Sequence, residues 1–135
     1  MAVKPIPEGF HTITPYLLVD GAAQFIDFVK EAFGADEIMR MPTPDGKIRH
    51  AEVRIGDSPL MLTDACDKMP ATPCMLHLYV EDADAMYNRA LKAGAESEQE
   101  PTDMFYGDRS AGVKDRFGFR WYMSTHIEDV SPEEM

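Results

Sequence analysis

The chain holds 135 residues, 44% of them hydrophobic and 27% charged, which suits one soluble folded domain over residues 1–135 and excludes a disordered chain. Its formal net charge of -11 argues against a nucleic-acid or anionic-membrane partner, since such surfaces are bound by clustered positive charge. Met1–Phe10 lacks the apolar core of a signal peptide and no stretch reaches membrane-spanning length.

Taken in chain order, Ile13–Val19 reads as a strand, with Asp20 placed to cap the helix that follows. In that helix Phe25, Ile26, Phe28, Val29, Ala32 and Phe33 share one stripe, and Gly34 supplies a left-handed stop. Strands follow at Glu37–Met41, Lys47–Ile55 and Pro59–Asp64, separated by the turns Pro44-Asp45-Gly46 and Gly56-Asp57. The loop after them carries Cys66 and Cys74. They have no CxxC spacing and read as reduced thiols of a cytoplasmic protein, with a disulfide between them as the alternative. A second series then opens with a strand at Met75–Val80 and a cap at Asp82. The helix stripe is Met86, Tyr87, Ala90 and Leu91, with strands near Ser97, at Ser110–Lys114 and at Phe119–His126. Pro101–Asp108 reads as a longer loop holding Phe105 and Tyr106, and Glu128–Met135 as an acidic, frayed tail.

The two series are alike at an offset of about 60 residues. Val19-Asp20-Gly21-Ala22 is echoed by Val80-Glu81-Asp82-Ala83, and Phe33-Gly34-Ala35 by Ala93-Gly94-Ala95. Arg49-His50-Ala51-Glu52-Val53 is matched by Arg109-Ser110-Ala111-Gly112-Val113. Three matches in one order point to a duplicated βαβββ unit, over residues 10–66 and 73–127. The expected fold class is α+β, the two units forming a curved mixed sheet around a cleft.

Strand parity says what would line that cleft. Leu17 and Val19, then Ala51, Val53 and Ile55, then Leu76, Leu78 and Val80, make aliphatic faces suited to lie under the helices. The opposite faces carry Tyr16, His50, Glu52, His77, Tyr79 and Tyr122. The tyrosines would stack on a flat ligand, or they fill core. His50 and Glu52 serve as a polar anchor or acid–base pair, or as a hydrogen-bonded pair at the sheet edge. Phe105 and Tyr106 would lie over the cleft mouth, and ten methionines supply adaptable apolar lining. Trp121 and Met123 have core parity, Asp108-Arg109 reads as an ion pair, and His11 and His126 as exposed. No Ser-His-Asp pattern, phosphate-binding glycine loop or nucleophile elbow is present.

The duplicated unit resembles the vicinal oxygen chelate superfamily, which includes glyoxalase I, bleomycin-resistance proteins and extradiol dioxygenases. Thr14-Pro15-Tyr16-Leu17-Leu18-Val19-Asp20-Gly21-Ala22, Arg49-His50-Ala51-Glu52 and Phe117-Gly118-Phe119-Arg120-Trp121 resemble its PhnB-like branch. Asp115-Arg116-Phe117-Gly118 is similar to the Asp-Pro-x-Gly turn of many members, with Arg116 in place of proline. The resemblance implies a homodimer and, in the enzymes, a divalent metal held by His, Glu or Gln from the first and last strands of each unit. Those positions fall on Thr14, Met75 and Tyr122, with no His or Glu in Pro59–Thr63. The expectation is therefore a binder of a small apolar or aromatic molecule, with Tyr16, His50, Glu52, His77, Tyr79, Tyr106 and Tyr122 as ligand contacts and no resident cofactor. Two alternatives stay open. One is a metal-dependent lyase or dioxygenase with displaced ligands such as His50, Glu52 and His77. The other is a non-catalytic assembly protein with a vestigial cleft.

Overall fold

Backbone pairing sorts the chain into two compact units, Met1–Thr72 and Pro73–Met135, each with its own four-stranded sheet and helix. The structure is a computed structural model that describes residues 3–135; the first two residues of the N-terminal stretch considered above lie outside them. The first unit runs β1 (Tyr16–Val19), α1 (Ala22–Phe33), β2 (Asp36–Pro42), β3 (Ile48–Ile55) and β4 (Ser58–Asp64). The second runs β5 (Met75–Tyr79), α2 (Ala83–Lys92), β6 (Glu96–Asp103), β7 (Asp108–Lys114) and β8 (Arg120–His126), then a short 3-10 turn at Pro132–Glu134. This is the duplicated α+β arrangement that the sequence repeats imply.

Both sheets have the same topology, β1-β4-β3-β2 and β5-β8-β7-β6. In each, the first strand pairs parallel to the last, and the other pairs are antiparallel. A parallel pair needs a crossover, which is what each helix supplies. The apolar stripe of α1 is fully used: Phe25, Ile26, Phe28, Val29, Ala32 and Phe33 are all buried. Against it lie Leu17, Val19, Ala51, Val53, Leu60 and Leu62, also buried. Each large aliphatic or aromatic side chain so covered contributes about 1.5–3 kcal/mol. In the second unit Tyr87 and Ala90 of α2 are buried, and so are Val113, Trp121 and Met123 of the sheet. Trp121 and Met123 are thus core residues, as their parity predicts.

Several local expectations give way to the structure. β1 begins at Tyr16, not Ile13, because its ladder on β4 starts with Tyr16 opposite Met61; Ile13 is 84% exposed. Asp20 does not cap α1. Gly21 enters the helix in the left-handed region at φ 97, and its N–H and that of Ala22 donate to Asp64 Oδ1 at 3.2 and 3.0 Å. The same carboxylate also accepts from Ile48 N at 2.6 Å. Asp82 does cap α2, accepting from Ala85 N at 3.0 Å. Pro101–Asp103 belongs to β6 and Asp108 to β7, so the supposed long loop shrinks to a tight turn at residues 104–107.

The turn Asp115–Gly118 is built around a buried carboxylate. Asp115 Oδ1 accepts from Phe117 N and Phe119 N, both at 2.9 Å, and Oδ2 accepts from the Trp121 indole at 2.8 Å. Burial pushes the Asp115 carboxyl above its ordinary range, while these donors pull the other way.

Candidate functional site

The sheet face away from α1 carries one continuous polar row in an apolar surround. Register places Tyr16 beside Met61, Met61 beside Glu52, and Glu52 beside Met39, with Met41 beside His50. Across this row the Tyr16 hydroxyl lies 3.1 Å from His50 Nδ1, and His50 Nε2 lies 2.9 Å from Glu52 Oε2. The Tyr16 and His50 rings sit 5.6 Å apart between centroids, tilted by 35°. The His50 and Glu52 side chains retain 22% and 15% of their exposure, so the pair is accessible and partly desolvated. Strand alternation does the positioning: residues two apart on β3 must share a face. Three methionines around one imidazole–carboxylate pair give a soft, adaptable apolar rim.

The equivalent face of the second unit differs in chemistry. His77 pairs with Tyr122, Tyr122 with Gly112, and Gly112 with Gln99. Gly112 stands where the first unit has Glu52, and the Tyr122 ring fills the space. A Cβ on Gly112 would fall 2.5 Å from Tyr122 Cε2 and Cζ. His77 and Tyr79 are stacked obliquely, with centroids 5.1 Å apart. Ser110, in the place of His50, is buried and bonded to Ser124 Oγ at 2.8 Å.

Tyr79 anchors a network that sequence parity did not reveal. Its hydroxyl donates to Asp108 Oδ2 at 2.8 Å, and Asp108 Oδ1 lies 2.8 Å from His126 Nδ1. His126 Nε2 lies 2.8 Å from Asp129 Oδ1 in the tail. The His126 contact, then the Tyr79 bond, hold the Asp108 carboxyl below its usual range; Asp108 in turn pushes the Tyr79 phenol up. His126 is raised by Asp108 first and Asp129 second. The signal was the strand pairing, which sets Asp108 opposite His126. Asp108 and Arg109 are not an ion pair with each other, because successive strand residues face opposite ways. Arg109 instead binds Asp84 at 2.7 Å and Asp103 at 2.9 Å.

Tyr106 is half-buried in the turn before β7, edge-on to Phe105 at 5.2 Å. Tyr122 is half-buried over Gly112. A separate open cavity of about 440 Å³ in the first unit is lined by residues including Thr43, Lys47, Arg49, Thr63 and Cys66, and by none of the predicted contacts. Both cysteines are free thiols.

The family's enzymes would place metal donors on first and last strands. The register sets Tyr16 beside Met61 and His77 beside Tyr122, while Thr14 lies before β1 with its hydroxyl on His11 O at 3.0 Å. Neither the phenol beside a thioether in the first unit nor the imidazole beside a phenol in the second supplies the nitrogen and carboxylate set that a catalytic divalent metal needs. Among the described residues, no three His, Cys, Asp or Glu side chains gather as a metal-holding group, and no helix is long and apolar enough to cross a membrane.

Comparison with known proteins agrees with this architecture. Residues 9–123 match the glyoxalase/bleomycin resistance protein/dioxygenase superfamily. The uncharacterised protein Mb0911c of Mycobacterium bovis is 39% identical, over 91% of this chain and 88% of that one. Among solved structures, TnmS3, an antibiotic binding protein from Streptomyces sp. CB03234, superposes with a TM-score of 0.69 at 25% identity, covering 93% of this chain and 98% of its own. TioX from Micromonospora sp. ML1 gives 0.69 at 25% identity, covering 85% and 99%. The chain belongs to the glyoxalase/bleomycin resistance protein/dioxygenase superfamily.

Proposed function

We propose that this protein binds a small apolar or aromatic molecule on the faces that carry Tyr16, His50, Glu52, His77, Tyr79 and Tyr122, with Tyr106 nearby, and does so without the family's usual metal. The observation that carries the reading is the Tyr16–His50–Glu52 row set among Met39, Met41 and Met61 on a sheet face that the helix leaves uncovered. Apolar lining with a few convergent polar groups is the general character of ligand sites. The likeness to TnmS3, described as antibiotic binding, supports a binder over a lyase or dioxygenase. PhnB-like affiliation, a cytoplasmic setting and a homodimer belong to the same proposal. Strands β2 and β6 end their sheets on one side, and a second copy would cover such an edge.

Elemental analysis of tag-free protein, paired with a thermal-shift screen of flat aromatic compounds, tests the proposal. A ligand that selects the native state raises the melting temperature in a dose-dependent way. Raised melting with no stoichiometric metal is the expected result. Stoichiometric Zn, Ni, Fe or Mn lost on His50→Ala would favour the displaced-ligand enzyme, and the absence of any stabilising compound would favour an assembly role. Light scattering should return twice the chain mass.

A further inference from the structure

Two of the three face tyrosines, Tyr16 and Tyr79, have an acceptor for their one proton inside the protein. With His50 assigned the neutral Nε2–H tautomer, its 2.9 Å contact with Glu52 Oε2 is a donation from the imidazole. In that tautomer Nδ1 is bare and accepts from the Tyr16 hydroxyl across 3.1 Å. In the second unit the acceptor is Asp108, to which Tyr79 donates at 2.8 Å. Asp108 is held in place from its other oxygen by His126. Two different relays, one through an imidazole and one direct, thus end on a carboxylate and fix the same polarity.

A phenol has one O–H and two lone pairs. With the O–H committed, each oxygen offers its face only an acceptor. Both residues remain open to a ligand, at 45% exposure for Tyr16 and 68% for Tyr79. Glu52 is a further acceptor on the same row as Tyr16. The net charge of -11 adds a field that favours donors over anions. From these constraints we infer that each face takes a flat molecule bearing O–H or N–H donors, selected by Tyr16 on the first unit's face and by Tyr79 on the second's, each accepting such a hydrogen. This deepens the proposed function and rests on the same faces being the ligand site.

The test compares 2-naphthol with 2-methoxynaphthalene, equal in ring system and different in one donor. Binding is followed at about pH 7.5, where a phenol keeps its proton, by amide shifts of residues 16–19 and 75–79. The naphthol should bind roughly 2- to 10-fold more tightly, the range of one net hydrogen bond. In the Tyr16→Phe/Tyr79→Phe double variant the two probes should bind equally, at the affinity of the methyl ether for the unaltered protein. An amide spectrum otherwise unchanged shows that the variant is folded. Equal binding by the unaltered protein, or an unchanged preference in the double variant, overturns the inference and leaves the ligand site standing. Binding of neither probe at these strands overturns the ligand site itself.

Discussion

Gly112→Ala tests whether Tyr122 owes its position to a missing side chain. The new methyl would lie 2.5 Å from Cε2 and Cζ and 2.9 Å from Cδ2 of the Tyr122 ring. Ordinary carbon contacts fall near 3.5–4.0 Å, so the ring edge has to retreat by about 1 Å. The atoms in the way are the far end of a side chain, which swings more cheaply than backbone moves. Forcing an aromatic about 30° off its rotamer costs roughly 0.5–1.5 kcal/mol, and overpacking costs about 1–3 kcal/mol. Alanine returns roughly 0.5–1 kcal/mol by stiffening the unfolded chain. The expected net loss is about 1 kcal/mol, a drop of roughly 3–6 °C in melting temperature for a chain of this size. Urea unfolding of the two single variants, Gly112→Ala and Tyr122→Ala, and of the double variant closes a cycle. In the Tyr122→Ala background the alanine should be neutral or stabilising. If Gly112→Ala costs as much there as in the native background, Tyr122 is not the obstacle and the reasoning fails.

Asp115→Asn should cost about 1–3 kcal/mol, since an amide N–H₂ would replace Oδ2 and oppose the Trp121 indole N–H. Trp121 is the only tryptophan, so its emission reports the change directly, and an unaltered spectrum with unaltered stability would contradict the assigned bond. Gly107→Ala combines a φ of 99 with a Cβ that would overlap the carbonyl oxygen of Glu128. The strain alone is worth about 1–2 kcal/mol. The variant should release the bonds from Ile127 N and Glu128 N to Gly107 O, seen as faster amide exchange after His126 with β7 and β8 unchanged. The His126–Asp108 contact should shape stability against pH. The raised His126 contributes in full below its unfolded value, about 6.5, and the contribution is lost as pH rises through the folded value. The lowered Asp108 contributes above about 3.9, and its contribution is lost as pH falls through the folded value. Melting temperature should therefore fall on both sides of that window, and His126→Gln should flatten the alkaline limb; an unchanged limb would show that the contact is not coupled to folding.

How far the sequence carries depends on whether the deciding interaction is local. The stripe of α1, the Gly34 stop and the Asp82 cap are each set within a few residues, and each is where its pattern puts it. The α1 entry is not. The carboxylate that holds it comes from Asp64, 43 residues away from Gly21, and no local pattern points there. β6 shows the same limit in another form. Glu96–Asp103 has poor strand composition, with Pro101 inside it, yet the ladder to β7 pairs Thr102 with Ser110 and Asp103 with Arg109. An irregularity between Gln99 and Thr102 lets the proline in. Parity brought His50 and Glu52 to one face and Tyr16 beside them. It could not show the Asp108–His126–Asp129 chain, which depends on the end of one strand meeting the start of another.

The unlike anchoring of the two helices bears on the order in which the units assemble. A helix nucleus is costly until its first N–H groups find acceptors. In α2, Asp82 supplies one from the next turn, so that helix can begin before any strand has docked. In both units a further acceptor comes from the end of the last strand: Ala22 N donates to Asp64 Oδ1 in α1, and Ala83 N to Thr125 Oγ1 in α2. In α1, which has no side-chain cap of its own, that loop closure precedes any gain at the helix entry. The entry of α1 therefore waits on its last strand, while α2 has a local seed as well. Two copies of one architecture thus share a long-range anchor and differ in one local oxygen, that of Asp82.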